Sequence, residues 1–369
     1  MISDRHIDES DPKIPGSVSG MIPGELESCL IGWGLKKFHA RQILAWIHRR
    51  RVLSFAGMTD LSLDDRAILS RRLTILSSKI GRRIASSDGT EKFLICLRDG
   101  ERIETALIRE PGRNTLCLST QVGCPIRCVF CASGMKGLSR NLDAAEIVEQ
   151  FLQVSAALAA DERLNNIVLM GIGEPLLNLQ HVVRALTILH AKWGAGVGYH
   201  RITLSTVGIL NKIDELVATG VHPNLACSLH ASNDEVRRRL IPTLQTTVSD
   251  IVRKGLDYRA ATGKDVTFEY VLLRGVNDST EHARELSLLL RGGGCKVNLI
   301  PYNSVEGAAG RPPESDVLSA FVDILREKGV SVTVRKTKGS DIAAACGQLR
   351  IDAERSSKAV GEKSDHAHR

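Results

Sequence analysis

The chain has 369 residues, enough for one large domain and a small one. A hydrophobic content of 43% and a charged content of 25% exclude a disordered or fibrous chain. The net charge of +7 favours a polyanionic partner such as nucleic acid, although a generic basic surface carries the same sign, and 4% aromatic residues disfavour binding through many stacked bases. A folded RNA recognised through phosphates and shape fits this composition better.

Residues 1–21 are rich in Asp, Ser, Pro and Gly and read as a disordered arm. Residues 22–78 have helical periodicity, with short amphipathic helices expected at Glu25–Trp33, Ala40–Arg51 and Leu63–Leu76. Arg49, Arg50, Arg51, Arg71, Arg72, Arg82 and Arg83 make this part basic. It reads as an RNA-docking accessory domain or as an ordinary solvated face. Over 79–110 the period shortens. Lys92–Leu97 and Arg102–Ile108 read as two strands joined at Asp99-Gly100, a β-hairpin extension.

From about residue 111 to 350, strands and helices alternate. Strands are expected at Thr115–Thr120, Asn166–Met170, Arg201–Ser205, Asn224–Leu229, Thr267–Leu272, Lys296–Ile300 and Ser331–Arg335. Helices are expected at Ala144–Ala159, Leu179–Ala191, Ile209–Ala218, Val248–Ala261, Thr280–Leu290 and Glu314–Glu327. Such alternation implies a parallel sheet in an α/β fold, a partial or full (β/α) barrel with its chemistry at the carboxyl ends of the strands. The polar residues 351–369 read as a frayed tail. No apolar run approaches the ~18 residues of a membrane span, and Met1–Gly20 lacks the apolar stretch of a signal peptide. Nine scattered cysteines do not suit a secreted disulfide scaffold, so a reducing cytoplasm is expected.

The informative motifs follow the strand ends. Cys124, Cys128 and Cys131 sit in one tight loop, Gln121–Cys131. Structural zinc sites close with four nitrogen or sulfur ligands, and no fourth partner stands nearby. Three thiolates on a 4Fe-4S cluster leave one iron open to a small molecule. This arrangement is similar to that of the radical S-adenosylmethionine (radical SAM) enzymes, in which the cofactor's amino and carboxylate groups occupy that iron. Gly171-Ile-Gly-Glu-Pro175 after the second strand offers Gly173 and Glu174 to a cofactor ammonium. Ser205, Ser228 and Asn303 could bond its ribose or carboxylate, or act as turn residues. His230 reads equally as a cap or as a cofactor contact. By spacing alone, Cys117 is a core residue and Cys346 has no evident task.

Together these residues carry a family resemblance. Gln121–Cys131, Gly137–Leu142, Met170–Asn178, Ser228–Asp234, Gly275–Asp278, Val297–Asn303, Val334–Lys336 and Ala345–Leu349 resemble the RlmN/Cfr radical SAM RNA methyltransferases. Phe38–Ile47 looks like that family's N-terminal accessory domain, and the resemblance runs from about residue 24 to 350. It implies that a first S-adenosylmethionine methylates Cys346, and that a second is cleaved at the cluster. The deoxyadenosyl radical then takes a hydrogen from the S-methyl group. The methylene radical adds to an adenine carbon, and Cys117 closes a disulfide with Cys346 to release the product. The resemblance also implies Glu104 as general base, and Gly173, Glu174, Ser205, Ser228, Leu229, His230 and Asn303 as S-adenosylmethionine contacts. Its substrates would be 23S rRNA at the peptidyl-transferase centre and tRNA next to the anticodon, methylated at adenine carbon 2. A flavodoxin-type protein would supply the electrons, and the enzyme would act as a monomer. Pro175 favours the RlmN branch over the Cfr branch, which methylates carbon 8. A non-catalytic RNA-binding ribosome factor would have lost a cluster ligand or Cys346, and an iron–sulfur electron carrier would leave the basic helical region unexplained.

Overall fold

The computed structural model describes residues 17–308 and 310–350. Three N-terminal helices come first: α1 (Pro23–Gly32), α2 (His39–His48) and α3 (Leu63–Arg72). α3 shows how local chemistry sets their ends. The Ser62 hydroxyl accepts from the Asp65 N–H at 3.1 Å, Asp64 and Asp65 fill the first turn, and Arg71 and Arg72 fill the last. α2 and α3 end three and four residues sooner than periodicity predicts, at His48 and Arg72. Beyond α3, Leu73 turns extended and is buried, as Ile75 is.

Four strands follow: β1 (Lys79–Ala85), β2 (Glu91–Cys96), β3 (Arg102–Glu110) and β4 (Arg113–Cys117). A separate two-stranded ribbon is made by β5 (Gln121–Gly123) and β6 (Leu138–Asn141). Then come α4 (Ala144–Ala156), β7 (Asn166–Leu169), α5 (Leu179–His190), β8 (Ile202–Thr206), α6 (Leu210–Ala218), β9 (Asn224–Ser228), α7 (Asp234–Leu240) and α8 (Val248–Thr262). The order ends with β10 (Val266–Leu272), α9 (Thr280–Leu290), β11 (Lys296–Pro301), α10 (Ser315–Glu327) and β12 (Ser331–Val334). Ten strands form one sheet in the order β1-β2-β3-β4-β7-β8-β9-β10-β11-β12. Pairing is antiparallel from β1 to β4 and parallel from β4 to β12.

Alternation along these strands separates two environments. Leu116, Ile167, Leu169, Ile202, Leu204, Leu225, Phe268, Tyr270, Val297 and Leu299 are all buried in the core. Their neighbours in sequence, including Thr115, Cys117, Asn166, Val168, Thr203, Thr267, Glu269, Asn298, Ile300 and Thr333, line a cavity of about 530 Å³. A period of two thus gives the sheet an apolar outer layer and a lumen lined by polar and apolar residues together. Among the described residues no helix is long and apolar enough to cross a membrane.

Three expectations need correction. The hairpin expected over 79–110 is a three-stranded antiparallel run, continuous with the main sheet. β1 escaped notice because an exposed edge strand carrying Lys79, Arg82 and Arg83 has little apolar alternation. The expected arm 1–21 is ordered where it is described: Ser17, Val18, Ser19 and Gly20 are buried. The reason lies in α4, where the buried Glu149 carboxylate accepts from the Ser17 and Ser19 hydroxyls and from the backbone and side chains of Ser77 and Ser78. Residues 1–16 and the expected tail 351–369 lie outside the described residues. Finally, not all of the expected basic face is free. Arg51 donates to the Ser155 and Glu162 carbonyls, Arg50 lies over the Trp46 ring and the exposed Arg83 pairs with Glu91, whereas Arg49, Arg71 and Arg82 face solvent.

Candidate active site

The cysteine loop leaves β5 at Gly123, whose φ of 80° and close approach to the Gly137 carbonyl admit no side chain. Cys124, Cys128 and Cys131 then line a cavity of about 150 Å³ at the strand ends. Burial pushes the Cys124 thiol up to about 12 and raises Cys128 and Cys131 as well; the charges of neighbouring loop cysteines add to the shifts of Cys124 and Cys128, and that of Cys346 adds to the shift of Cys131.

Gly173, Glu174, Ser205, Ser228, His230 and Asn303 line the same cavity. Leu229 does not; it is fully buried and its N–H donates to the Glu269 carbonyl. Gly173 has φ of 111°, and a Cβ there would lie 2.7 Å from that of Gln121. The Glu174 carboxylate accepts from the Val207 N–H at 2.9 Å and the Leu176 N–H at 3.2 Å, yet burial still raises it to about 7. The His230 Nδ1 accepts from the Val271 N–H at 3.1 Å, which assigns the ring proton to Nε2. Burial depresses this imidazole to about 3, so it is neutral at physiological pH.

Cys346 lines both this cavity and the larger lumen, where it meets Cys117. Its segment is tied down along its length. Asp88 accepts from the Gly339 N–H, Lys92 donates to the Ala343 carbonyl, and Asn303 donates to the Cys346 carbonyl at 3.2 Å. The Ala132 N–H, one residue past Cys131, donates to the Gly347 carbonyl at 2.8 Å. Cys117 ends β4 opposite Ala106. Burial, followed by the charge of Cys346, pushes its thiol up to about 12, while Arg335 opposes the shift. Both cysteines are free thiols here.

Glu104 lines neither cavity. It is 5% exposed, so it is not the exposed strand carboxylate that its sequence also allowed. It pairs with Lys92 at 3.0 Å and accepts from the Arg350 N–H at 2.9 Å, closing the Cys346 segment from the other side. Burial raises its carboxyl against the opposing charge of Lys92.

Residues not singled out beforehand complete the site. Arg335 lies near Cys346, Glu269 and Cys117, and its Nη1 is 3.5 Å from the Met170 sulfur. Glu269 has one buried carboxylate oxygen without a partner among the described residues. Arg237 is fully buried next to Cys128, and its Nε has no partner among the described residues. A signal for Arg237 existed in the sequence: it shares the apolar stripe of α7 with Val236 and Leu240.

A curled parallel sheet with three cysteines in one loop at its carboxyl ends defines a radical SAM enzyme. The chain matches the radical SAM superfamily over residues 118–286 and the ribosomal RNA large subunit methyltransferase N-terminal domain over residues 18–75. A probable dual-specificity RNA methyltransferase RlmN of Rhodopirellula baltica is 46% identical over 327 residues, covering 88% of each chain. Its counterpart in Bacillus subtilis is 45% identical over 329 residues, 88% of this chain and 90% of that one. The crystal structure of a radical SAM methyltransferase from Sphaerobacter thermophilus superposes with a TM-score of 0.88 at 42% identity, covering 92% of this chain and 100% of that one. The chain belongs to the RlmN family of radical SAM RNA methyltransferases.

Membership brings a 4Fe-4S cluster and S-adenosylmethionine as cofactors. The residues present fit them. Buried thiols that resist ionisation alone are deprotonated by the metal they coordinate. The unpartnered Arg237 guanidinium nitrogen beside Cys128 suits an anionic cluster. Glu174 is a buried carboxylate acceptor in the lining of the same cavity.

Proposed function

We propose that the chain methylates carbon 2 of adenosine in 23S rRNA, at the peptidyl-transferase centre, and in tRNA next to the anticodon. Cys346 carries the methyl group and Cys117 releases the product. The supporting observation is that Cys346 lines the cofactor cavity and the lumen at once, with Cys117 in the lumen alone. A methyl carrier has to face a methyl donor on one side and a substrate on the other.

Cys124, Cys128 and Cys131 would hold the cluster, which when bound would supply the one-electron chemistry needed to activate an otherwise unreactive methyl group. Glu174 offers its carboxylate to the cofactor's ammonium, a contact that favours the ionised form against burial. Gly173, Ser205, Ser228, His230 and Asn303 complete the cofactor contacts in this reading, and Leu229, off the cavity, supports them from behind. The Cys346 thiolate first displaces the methyl group from a sulfonium, giving a thioether. After the carbon bridge to adenine forms, the Cys117 thiolate attacks the Cys346 sulfur. A disulfide forms, the sulfur–methylene bond breaks, and the carbon leaves with the electron pair and takes up a proton. Before that attack the bridged radical loses one electron, returned to the one-electron supply, and its ring proton, which Glu104, with its burial-raised carboxyl, removes once its contact with Lys92 opens. A thiol reductant then restores both cysteines.

We assign a flavodoxin-type electron donor, a monomeric state and a cytoplasmic setting to the same reading, because a three-thiolate cluster needs low potential and little oxygen. The test is nucleoside analysis of rRNA and tRNA after anaerobic incubation with the reconstituted protein and methyl-deuterated S-adenosylmethionine. Labelled 2-methyladenosine is expected. Labelled 8-methyladenosine, or no labelled base, would overturn the assignment.

A further inference from the structure

Arg237 is 2% exposed, whereas Arg238 and Arg239 beside it on α7 face solvent. Its guanidinium donates to the carbonyls of Ser228, Leu229 and Val207, at the ends of β8 and β9. Those bonds satisfy hydrogen-bonding capacity but supply no negative charge. Among the described residues no carboxylate forms an ion pair with Arg237, and its Nε donates to nothing. A buried cation with no carboxylate in contact is costly, and the more distant charge of Asp234 offsets only part of that cost, so the fold holds a positive charge that awaits an anion.

The neighbours show where that anion belongs. The group whose negative charge most favours the guanidinium is the Cys128 thiol, ahead of Asp234 and Cys227. α7 is also docked on the cysteine loop: the Val129 N–H donates to the Leu240 carbonyl at 3.0 Å, and Thr243 just beyond α7 donates to the Ile126 carbonyl. Three thiolates outweigh the two positive charges of an oxidised 4Fe-4S core, so the ligated cluster is a net anion. One electron from a low-potential donor adds a second negative charge with no bond made or broken. A fixed cation nearby favours the reduced state more than the oxidised one.

We propose that Arg237 is a positioning residue whose buried positive charge balances the cluster held by Cys124, Cys128 and Cys131 and raises its reduction potential. The proposal rests on the cofactor reading above. Its test is the one-electron midpoint potential of the full-length protein, reconstituted anaerobically and titrated with dithionite and mediators under electron paramagnetic resonance, without RNA or S-adenosylmethionine. Arg237→Gln keeps N–H donors and loses the charge; Arg237→Lys keeps the charge and loses most of the carbonyl ties. The glutamine variant is expected at a more negative potential and the lysine variant at the wild-type value. A glutamine variant at the wild-type potential, or a lysine variant as negative as the glutamine one, overturns the proposal. If the glutamine variant does not fold by circular dichroism, the lysine variant decides alone by the same criterion: the wild-type value supports the proposal and a negative shift overturns it. Wild-type protein that takes up no iron and sulfide would instead overturn the cofactor reading, and the two failures are thereby distinct.

Discussion

Cys346 and Cys117 line one lumen, close enough for the charge on Cys346 to oppose ionisation of Cys117. One ends a strand of the sheet and the other sits on a loop near the end of the described chain. That difference suits two thiols with different duties. The strand holds Cys117 still, while the Cys346 loop places its thiol at the border of two cavities.

Replacing Cys346 with alanine removes the proposed methyl carrier. RNA methylation is expected to fall to background, while iron and sulfide content stays at the wild-type level because the three cluster thiols are untouched. Labelled methyl transfer to RNA and metal analysis on the same preparation check both parts. Undiminished RNA methylation would end the carrier role.

Replacing Cys117 with alanine leaves the carrier and removes the thiol that resolves the adduct. Protein is expected to stay covalently bound to RNA after one turnover. A denaturing gel of labelled RNA reads this directly as a shifted band. Only free RNA on that gel would count against the assignment.

Glu149→Gln tests what holds the N-terminal helices to the barrel. A buried carboxylate that gathers donors from Ser17, Ser19, Ser77 and Ser78 cannot be replaced by an amide without placing N–H against N–H or O–H. The expected loss is about 2–4 kcal/mol of unfolding free energy. Urea unfolding measures it, and a loss below about 0.5 kcal/mol would show the network to be dispensable.

His48 predicts a pH dependence away from the site. Among the described residues neither buried ring nitrogen has a partner, and burial lowers the imidazole from 6.5 to about 4. Between those values the unfolded chain binds a proton that the folded chain refuses. Stability contributed by keeping His48 neutral is therefore complete above pH 6.5 and is lost as the pH falls towards 4, by about 3 kcal/mol in all. Unfolding curves at several pH values should show this slope in the wild type and less of it in His48→Phe. Parallel slopes in the two proteins would contradict the assignment.

Much of this protein was legible before any coordinates, because the signals involved are local. Apolar alternation over Asn166–Met170 or Asn224–Leu229 marks a strand whatever surrounds it. The spacing of Cys124, Cys128 and Cys131 brings three thiols into one loop. Gly173 and Glu174 were recognisable as a turn at a strand end. The family resemblance pointed to Cys346 and Cys117, which spacing alone would have passed over.

What remained hidden depends on contacts between residues distant in the chain. Ser17 and Ser19 look like part of a solvated arm until Glu149 recruits their hydroxyls. Glu104 looks like a surface carboxylate until Lys92 and the Arg350 N–H enclose it. Arg237 shares a helix stripe with Val236 and Leu240, which sets it apart from Arg238 and Arg239, but its burial beside Cys128 comes only from the docking of α7 on the cysteine loop. Periodicity and motif spacing report on bonds a few residues long, whereas the ionisation and accessibility of a group depend on dielectric and charge across several angstroms of folded space. The sequence therefore determined which chemical groups are available, and the tertiary structure decided which of them are dry, paired or left facing the cofactor cavity.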